Sequence, residues 1–256
     1  MSTFVLVPGF WLGAWAWEDV TRELRAAGHD VHPVTLTGLA ERADEATPEV
    51  GVATHTADVV RVIEDGGLRD VVLVGHSGAN QPVTAAADRL PGRVARLVYV
   101  DTAPLPPGMG VIDFNDPGTQ ESWRKRVAEE GDGWLLPAPA FDPAAAADAD
   151  ADADADAESL AGLTGEQLER MRALCTPQPF RTATDPFERA GEPAGVPCSL
   201  IATTFTPEAV RGLAATGNPL FAPLAAMDVR HLPTGHWPML SEPGALAALL
   251  DAIACG

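Results

Sequence analysis

At 256 residues with 46% hydrophobic content, the chain can bury one large core, as one domain or as one domain with an insertion. Its formal net charge of −19 argues against nucleic acid or an anionic membrane as partner. Cys175, Cys198 and Cys255 are widely spaced, with neither metal spacing nor a disulfide framework, which points to a reducing compartment.

In chain order, Phe4–Val7, Val31–Val34, Val71–Val74, Leu97–Val100, Ser199–Thr203 and Val229–Leu232 read as strands. Trp17–Ala27, Thr54–Asp65, Ala79–Leu90 and Pro243–Ala254 read as helices. The alternation predicts an α/β fold, a mostly parallel sheet of about six strands with helices on both faces. The apolar run Phe4–Trp17 has no basic residue before it, contains a Pro-Gly turn and is too short to span a bilayer. A cytoplasmic protein is therefore expected, with no membrane partner.

Between about 104 and 192 the rhythm breaks into a proline-rich stretch, expected to form a cap over the sheet edge; residues 1–103 and 193–256 then make up the core. Within the cap, the alanine–aspartate run at 144–158 reads as a mobile surface loop, because alternating small and charged residues bury too little apolar area to order themselves. Its carboxylates invite a calcium reading, but the glycine turn and register of a calcium loop are absent. No metal or cofactor is expected.

The chemistry-bearing segment is Gly75-His76-Ser77-Gly78-Ala79, where a buried strand stops at a serine and a helix begins. Such a corner is tight and strained, lifts the hydroxyl clear of the backbone, and aims a helix N-terminus at whatever the serine attacks. Ser77 is the candidate nucleophile. A serine needs a base, and His236, in the loop after the last strand, emerges from the same sheet edge in the right chain order. His76 should point away from the serine and pack beneath the oxyanion loop; His55, at a helix start, has a position that could reach the site rim, but a structural role is the favoured reading. Backbone N–H groups of Gly78 and of Phe10, in the Pro8-Gly9-Phe10 turn, can hold a developing oxyanion. The acid has two candidates: Asp101, which closes the strand after the nucleophile strand and is preferred, and Glu208 after the later strand.

These residues resemble the α/β-hydrolase superfamily, and most closely the branch of plant methyl esterases, hydroxynitrile lyases and related bacterial esterases. The similar segments are Phe4–Trp15, Val34–Leu39 with Glu41-Arg42, Gly75–Gly78 and Gly235–Met239. The resemblance implies Ser77 as nucleophile, His236 as base, donors at Phe10 and Gly78, and a cap from Pro104 onward. Three departures stand out. The usual His-Gly of the first loop is Pro8-Gly9, the usual aspartate after the penultimate strand is replaced at about Thr206, and Asp101 stands where plant members carry a small apolar residue. Hydroxynitrile lyases have a lysine after the histidine and a threonine in the oxyanion loop; Trp237 and Gly9 here argue against cyanohydrin cleavage.

The expected activity is a cofactor-free serine hydrolase acting on a small or medium apolar or aromatic ester or lactone. Gly9, Trp11, Trp123, Trp134, Phe141 and Trp237, with Phe114, are candidate pocket residues, packing within the cap being the competing reading. Two rivals remain: a non-hydrolytic natural-product tailoring enzyme (cyclase or decarboxylase) and a silent ligand-binding protein. The partner is a small-molecule substrate, and a homodimer is left open.

Overall fold

A computed structural model describes residues 1–142, 157–189 and 195–256. The first half of the chain lays down β1 (Thr3–Val7), α1 (Glu18–Ala26), β2 (Asp30–Pro33), α2 (Val52–Asp65), β3 (Val71–His76), α3 (Asn80–Arg89) and β4 (Val94–Val100). The insertion contributes α4 (Pro117–Glu130), β5 (Leu135–Leu136), α5 (Gly165–Leu174), β6 (Gln178–Pro179) and α6 (Arg181–Thr184). The chain then completes β7 (Cys198–Ala202), α7 (Pro207–Ala214), β8 (Asp228–His231), α8 (Pro238–Ser241) and α9 (Pro243–Cys255).

The main sheet has the order β2-β1-β3-β4-β7-β8, and every neighbouring pair is parallel. Side-chain alternation divides the core into two layers. On one face Phe4 and Leu6 of β1 pack with Val20 and Leu24 of α1 and with Leu246 and Leu250 of α9. On the other, Val5 and Val7 pack with Val59 and Ile63 of α2 and Val83 of α3. Each such fully buried aliphatic side chain contributes roughly 1.5–3 kcal/mol from removal of its surface from water. Strand order reverses between β1 and β3, so the crevice beyond their C-terminal ends is the natural place for a site. Ser77 follows β3 and Phe10 lies just beyond β1.

Between β4 and β7 the short strands β5 and β6 pair antiparallel, with Leu136 opposite Gln178. The insertion does not have a separate apolar centre among the described residues. Trp123 and Val127 of α4, Leu136, Phe141, Leu168 and Met171 of α5 and Ala183 join the cluster that holds Phe4 and Trp11. The helix α4 has no counterpart among the sequence expectations, because only Trp123 and Val127 of its 14 residues are buried and no apolar stripe forms. It is set instead by its start, where the Asp116 carboxylate accepts from Gly118 N and Thr119 N. The loop and calcium readings of the alanine–aspartate run fall, but for Ala157 and Glu158, outside the described residues, as does the expected core boundary at 193. Among the described residues no helix is long and apolar enough to cross a membrane.

Candidate active site

The corner after β3 is as tight as its glycines imply. Ser77 lies in the left-handed region with φ of 49°, a conformation that costs a non-glycine residue about 1–3 kcal/mol and persists only where its surroundings hold it. A Cβ on Gly75 would come within 2.7 Å of Val83 Cγ2, so the glycine lets α3 fold back against β3. A Cβ on Gly9 would stand 2.7 Å from His76 Nδ1 and 2.9 Å from Ser77 Cβ, and one on Gly78 would overlap the Phe10 ring. The loop after β1 therefore lies directly against the serine corner, with Gly9 beside Ser77 and the Phe10 ring against Gly78. Ala79, where the pattern usually ends in glycine, is accommodated as a buried residue.

Asp101 ends β4, also in the left-handed region with φ of 48°. Its Oδ2 accepts from His236 Nδ1 at 2.7 Å, with the carboxylate side chain 4% exposed and the imidazole 12%. A carboxylate is acceptor-only, so Nδ1 carries the proton and Nε2 is the basic nitrogen. The other oxygen, Oδ1, accepts from Thr203 N at 2.9 Å and Thr204 N at 3.2 Å, and the Thr204 hydroxyl reaches both oxygens. Burial opposes the charge on Asp101, yet these hydrogen bonds and the His236 ring outweigh it and hold the carboxyl well below the usual carboxylate range. Thr203 and Thr204 belong to the loop after β7, and sequence reasoning missed their part because backbone amides leave no residue-type signal.

The histidine loop is pinned from three sides. His236 N donates to Ser159 O at 2.8 Å and Gly235 N to Ala161 O at 3.1 Å, both in the insertion. From beneath, fully buried His76 donates from Nε2 to the His236 carbonyl at 2.7 Å, its ring centroid 4.8 Å from that of His236. Burial, and then the neighbouring His236, push the His76 pKa down to about 3, so the ring is neutral and Nε2 is its donor.

A serine on a strained strand–helix corner, and a histidine bonded to a buried aspartate at the end of the adjacent strand, narrow the family. The model of the alpha/beta hydrolase family matches residues 4–249. The chain belongs to the alpha/beta hydrolase family. A carbendazim hydrolyzing esterase from Nocardioides sp. (strain SG-4G) is 29% identical over 255 residues, covering 99% of this chain and 100% of that protein. Esterase PIR7B of Oryza sativa subsp. japonica is 35% identical over 131 residues, 50% of this chain and 47% of the rice protein. Among solved structures, an extracellular alpha/beta-hydrolase from a Paenibacillus species, described as sharing structural and functional homology with tobacco salicylic acid binding protein 2, superposes with a TM-score of 0.75. It is 22% identical, and 99% of each chain is covered. This is an α/β hydrolase of the esterase type.

In the hydrolase, the remaining sequence candidates fall into place less uniformly. Glu208, the alternative acid, is exposed on α7 and pairs with Arg211 at 2.7 Å, away from the imidazole that Asp101 holds. Thr206, at the position of the missing aspartate, caps α7 by accepting from Ala209 N at 3.2 Å. His55 has the structural place favoured for it: it is buried and donates from Nε2 to Thr37 O at 3.0 Å. The aromatic candidates are mostly not pocket walls. Trp11, Phe141 and Trp237 are at most 1% exposed and Trp123 is 3%, whereas a side chain facing a void that admits water would keep area open to it. They touch one another instead, with Trp11 edge-on to Trp123 and Phe141 edge-on to Trp237. Trp134 is half-buried, Gly9 is buried against the corner, and Phe114 is exposed.

Two of the buried histidines, His55 and His76, give the hydrolase an acid sensitivity. Burial lowers the His55 pKa from 6.5 to about 4 and that of His76 to about 3. The unfolded chain then binds two protons that the folded chain refuses, so stability falls as pH drops below the unfolded value, by roughly 2 kcal/mol per histidine at pH 5. Asp101, whose folded pKa is depressed, adds stability that is lost only at lower pH still. Urea denaturation at pH 7.5 and pH 5 is expected to show this loss; equal midpoints and slopes would overturn it.

Proposed function

We propose that this hydrolase cleaves a small or medium, apolar or aromatic carboxylic ester or lactone through an acyl-enzyme on Ser77. The hydroxyl oxygen attacks the carbonyl carbon while its proton passes to His236 Nε2, and Asp101 stabilises the imidazolium that forms. The carbonyl oxygen, now carrying the negative charge, is held by the backbone N–H groups of Phe10 and Gly78. The tetrahedral adduct expels the alkoxide, which leaves as alcohol with the His236 proton. Water then enters, gives its proton to His236, and releases the acid as Ser77 recovers its hydrogen.

The observation that carries this reading is the 2.7 Å hydrogen bond between Asp101 and His236, at the sheet edge where Ser77 stands in its strained conformation. The names of the relatives, esterases from bacteria and rice, accord with it. An apolar acyl group suits the cap side chains that pack on the Phe10–Trp237 cluster while keeping part of their surface, Val111, Ala138, Leu163 and Phe180. All three cysteines are free thiols, which fits a cytoplasmic setting. The non-hydrolytic reading rests on the missing acid at Thr206 and on the serine corner that ends in Ala79; a carboxylate on the His236 ring speaks against the first of these grounds.

A fluorophosphonate probe with peptide mapping tests the reading. One label per chain on Ser77, with parallel loss of p-nitrophenyl butyrate hydrolysis, is expected. Hydrolysis that survives complete labelling, or a protein that neither labels nor hydrolyses, would overturn it.

A further inference from the structure

From the geometry around Trp11 we infer that Gln178, in the cap, is a positioning residue for the oxyanion loop. The inference rests on the ester-hydrolase reading above. Trp11 directly follows the proposed donor Phe10 and sits in the left-handed region with φ of 65°, where a bulky side chain is strained. Something must hold it there.

The cap holds it by every polar group it has. Trp11 N donates to Gln178 Oε1 at 2.8 Å, and Trp11 O accepts from Thr176 N at 3.1 Å. The indole Nε1 donates to Leu136 O at 3.2 Å. Leu136 and Gln178 are opposite one another on β5 and β6, so one two-stranded ribbon receives both N–H groups of the same residue. Thr176 extends the clamp, its hydroxyl accepting from Ala40 N at 2.9 Å.

The Gln178 amide cannot turn over. Its Nε2 donates to Thr182 Oγ1 at 2.8 Å, and the Thr182 hydroxyl gives its one proton to Pro179 O at 2.6 Å. With that proton committed, Thr182 can only accept, so nitrogen faces Thr182 and oxygen faces Trp11. Gln178 is 1% exposed, so removing its oxygen leaves the Trp11 N–H buried with no water to replace it. The strained peptide would then relax, and the Phe10 N–H one peptide upstream would swing from the line on which it meets the oxyanion.

The mechanism predicts a loss in kcat rather than in substrate binding, since the Phe10 N–H acts on charge that develops only in the transition state. Gln178→Leu is expected to lower kcat for p-nitrophenyl butyrate about 10- to 100-fold with KM within about 3-fold of wild type. Gln178→Glu keeps an acceptor oxygen toward Trp11 and, with its buried carboxyl protonated, a donor toward Thr182, and should recover to within about 5-fold. Thr182→Val, which frees the amide to rotate, serves where Gln178→Leu does not fold, and should fall between the two. Hydrogen–deuterium exchange of the peptide spanning residues 8–14 should quicken in Gln178→Leu and Thr182→Val, a readout that needs no activity. Wild-type kcat in the variants, a change confined to KM, or unchanged exchange at 8–14 would overturn the inference. If the wild-type protein hydrolyses no ester while the exchange still quickens, the ester-hydrolase reading fails and the clamp stands.

Discussion

Replacing Ser77 with alanine is expected to lower kcat for p-nitrophenyl butyrate by on the order of 10⁴- to 10⁶-fold, to the residue left by binding and oxyanion stabilisation alone. The substitution removes one oxygen and keeps the Cβ that packs against Gly9, so the loop after β1 retains its neighbour. Alanine at φ of 49° is strained to much the same degree as serine, and the corner should hold its shape. Steady-state kinetics alongside a thermal melt separates chemistry from folding. A Ser77→Ala protein that melts like wild type and still turns over ester at a comparable rate would remove the nucleophile from the proposal.

Asp101→Asn should lower kcat by about 10³- to 10⁴-fold, and the reason is a proton in the wrong place. The amides of Thr203 and Thr204 donate toward this side chain, so an asparagine would turn its oxygen to them and its NH₂ to the His236 ring. Facing a donor, Nδ1 must accept, which moves the ring proton to Nε2, the nitrogen that has to take the serine hydrogen. Geometry survives and the base does not. Glu208→Gln, altering an exposed ion pair with Arg211, should change kcat less than about 2-fold. Comparable losses in both variants, or a loss in Glu208→Gln alone, would sink the assignment of Asp101.

What the chain discloses before folding is its sheet and the residues that end its strands. β1 and β3 announce themselves as runs of buried β-branched and apolar residues, and Ser77 and Asp101 could be picked because each directly follows such a run. The cap is another matter. β5 and β6 are two residues each and α4 buries only two side chains, so neither leaves a periodic trace. The direction of the aromatic residues was likewise beyond reach, since Trp11 and Trp237 are as apolar in a core as in a pocket and only their neighbours decide. Gln178 reads as one more polar residue in a loop; its partner lies 167 positions earlier. Local pattern reports what the backbone repeats, and a single long-range hydrogen bond repeats nothing.

Having the carboxylate at the end of β4 changes the order in which the site is assembled. His76 and Val100 are register partners on adjacent strands, so Ser77 and Asp101 are set side by side by one strand–helix–strand unit. A nascent polypeptide emerging from the ribosome would have both in hand after its first hundred or so residues, with low contact order between them. The imidazole arrives 135 positions after the acid, on the loop that follows β8. On the proposed mechanism, a chain that stops between Asp101 and His236 holds the alcohol and the acid but lacks the group that would move a proton between substrate and enzyme.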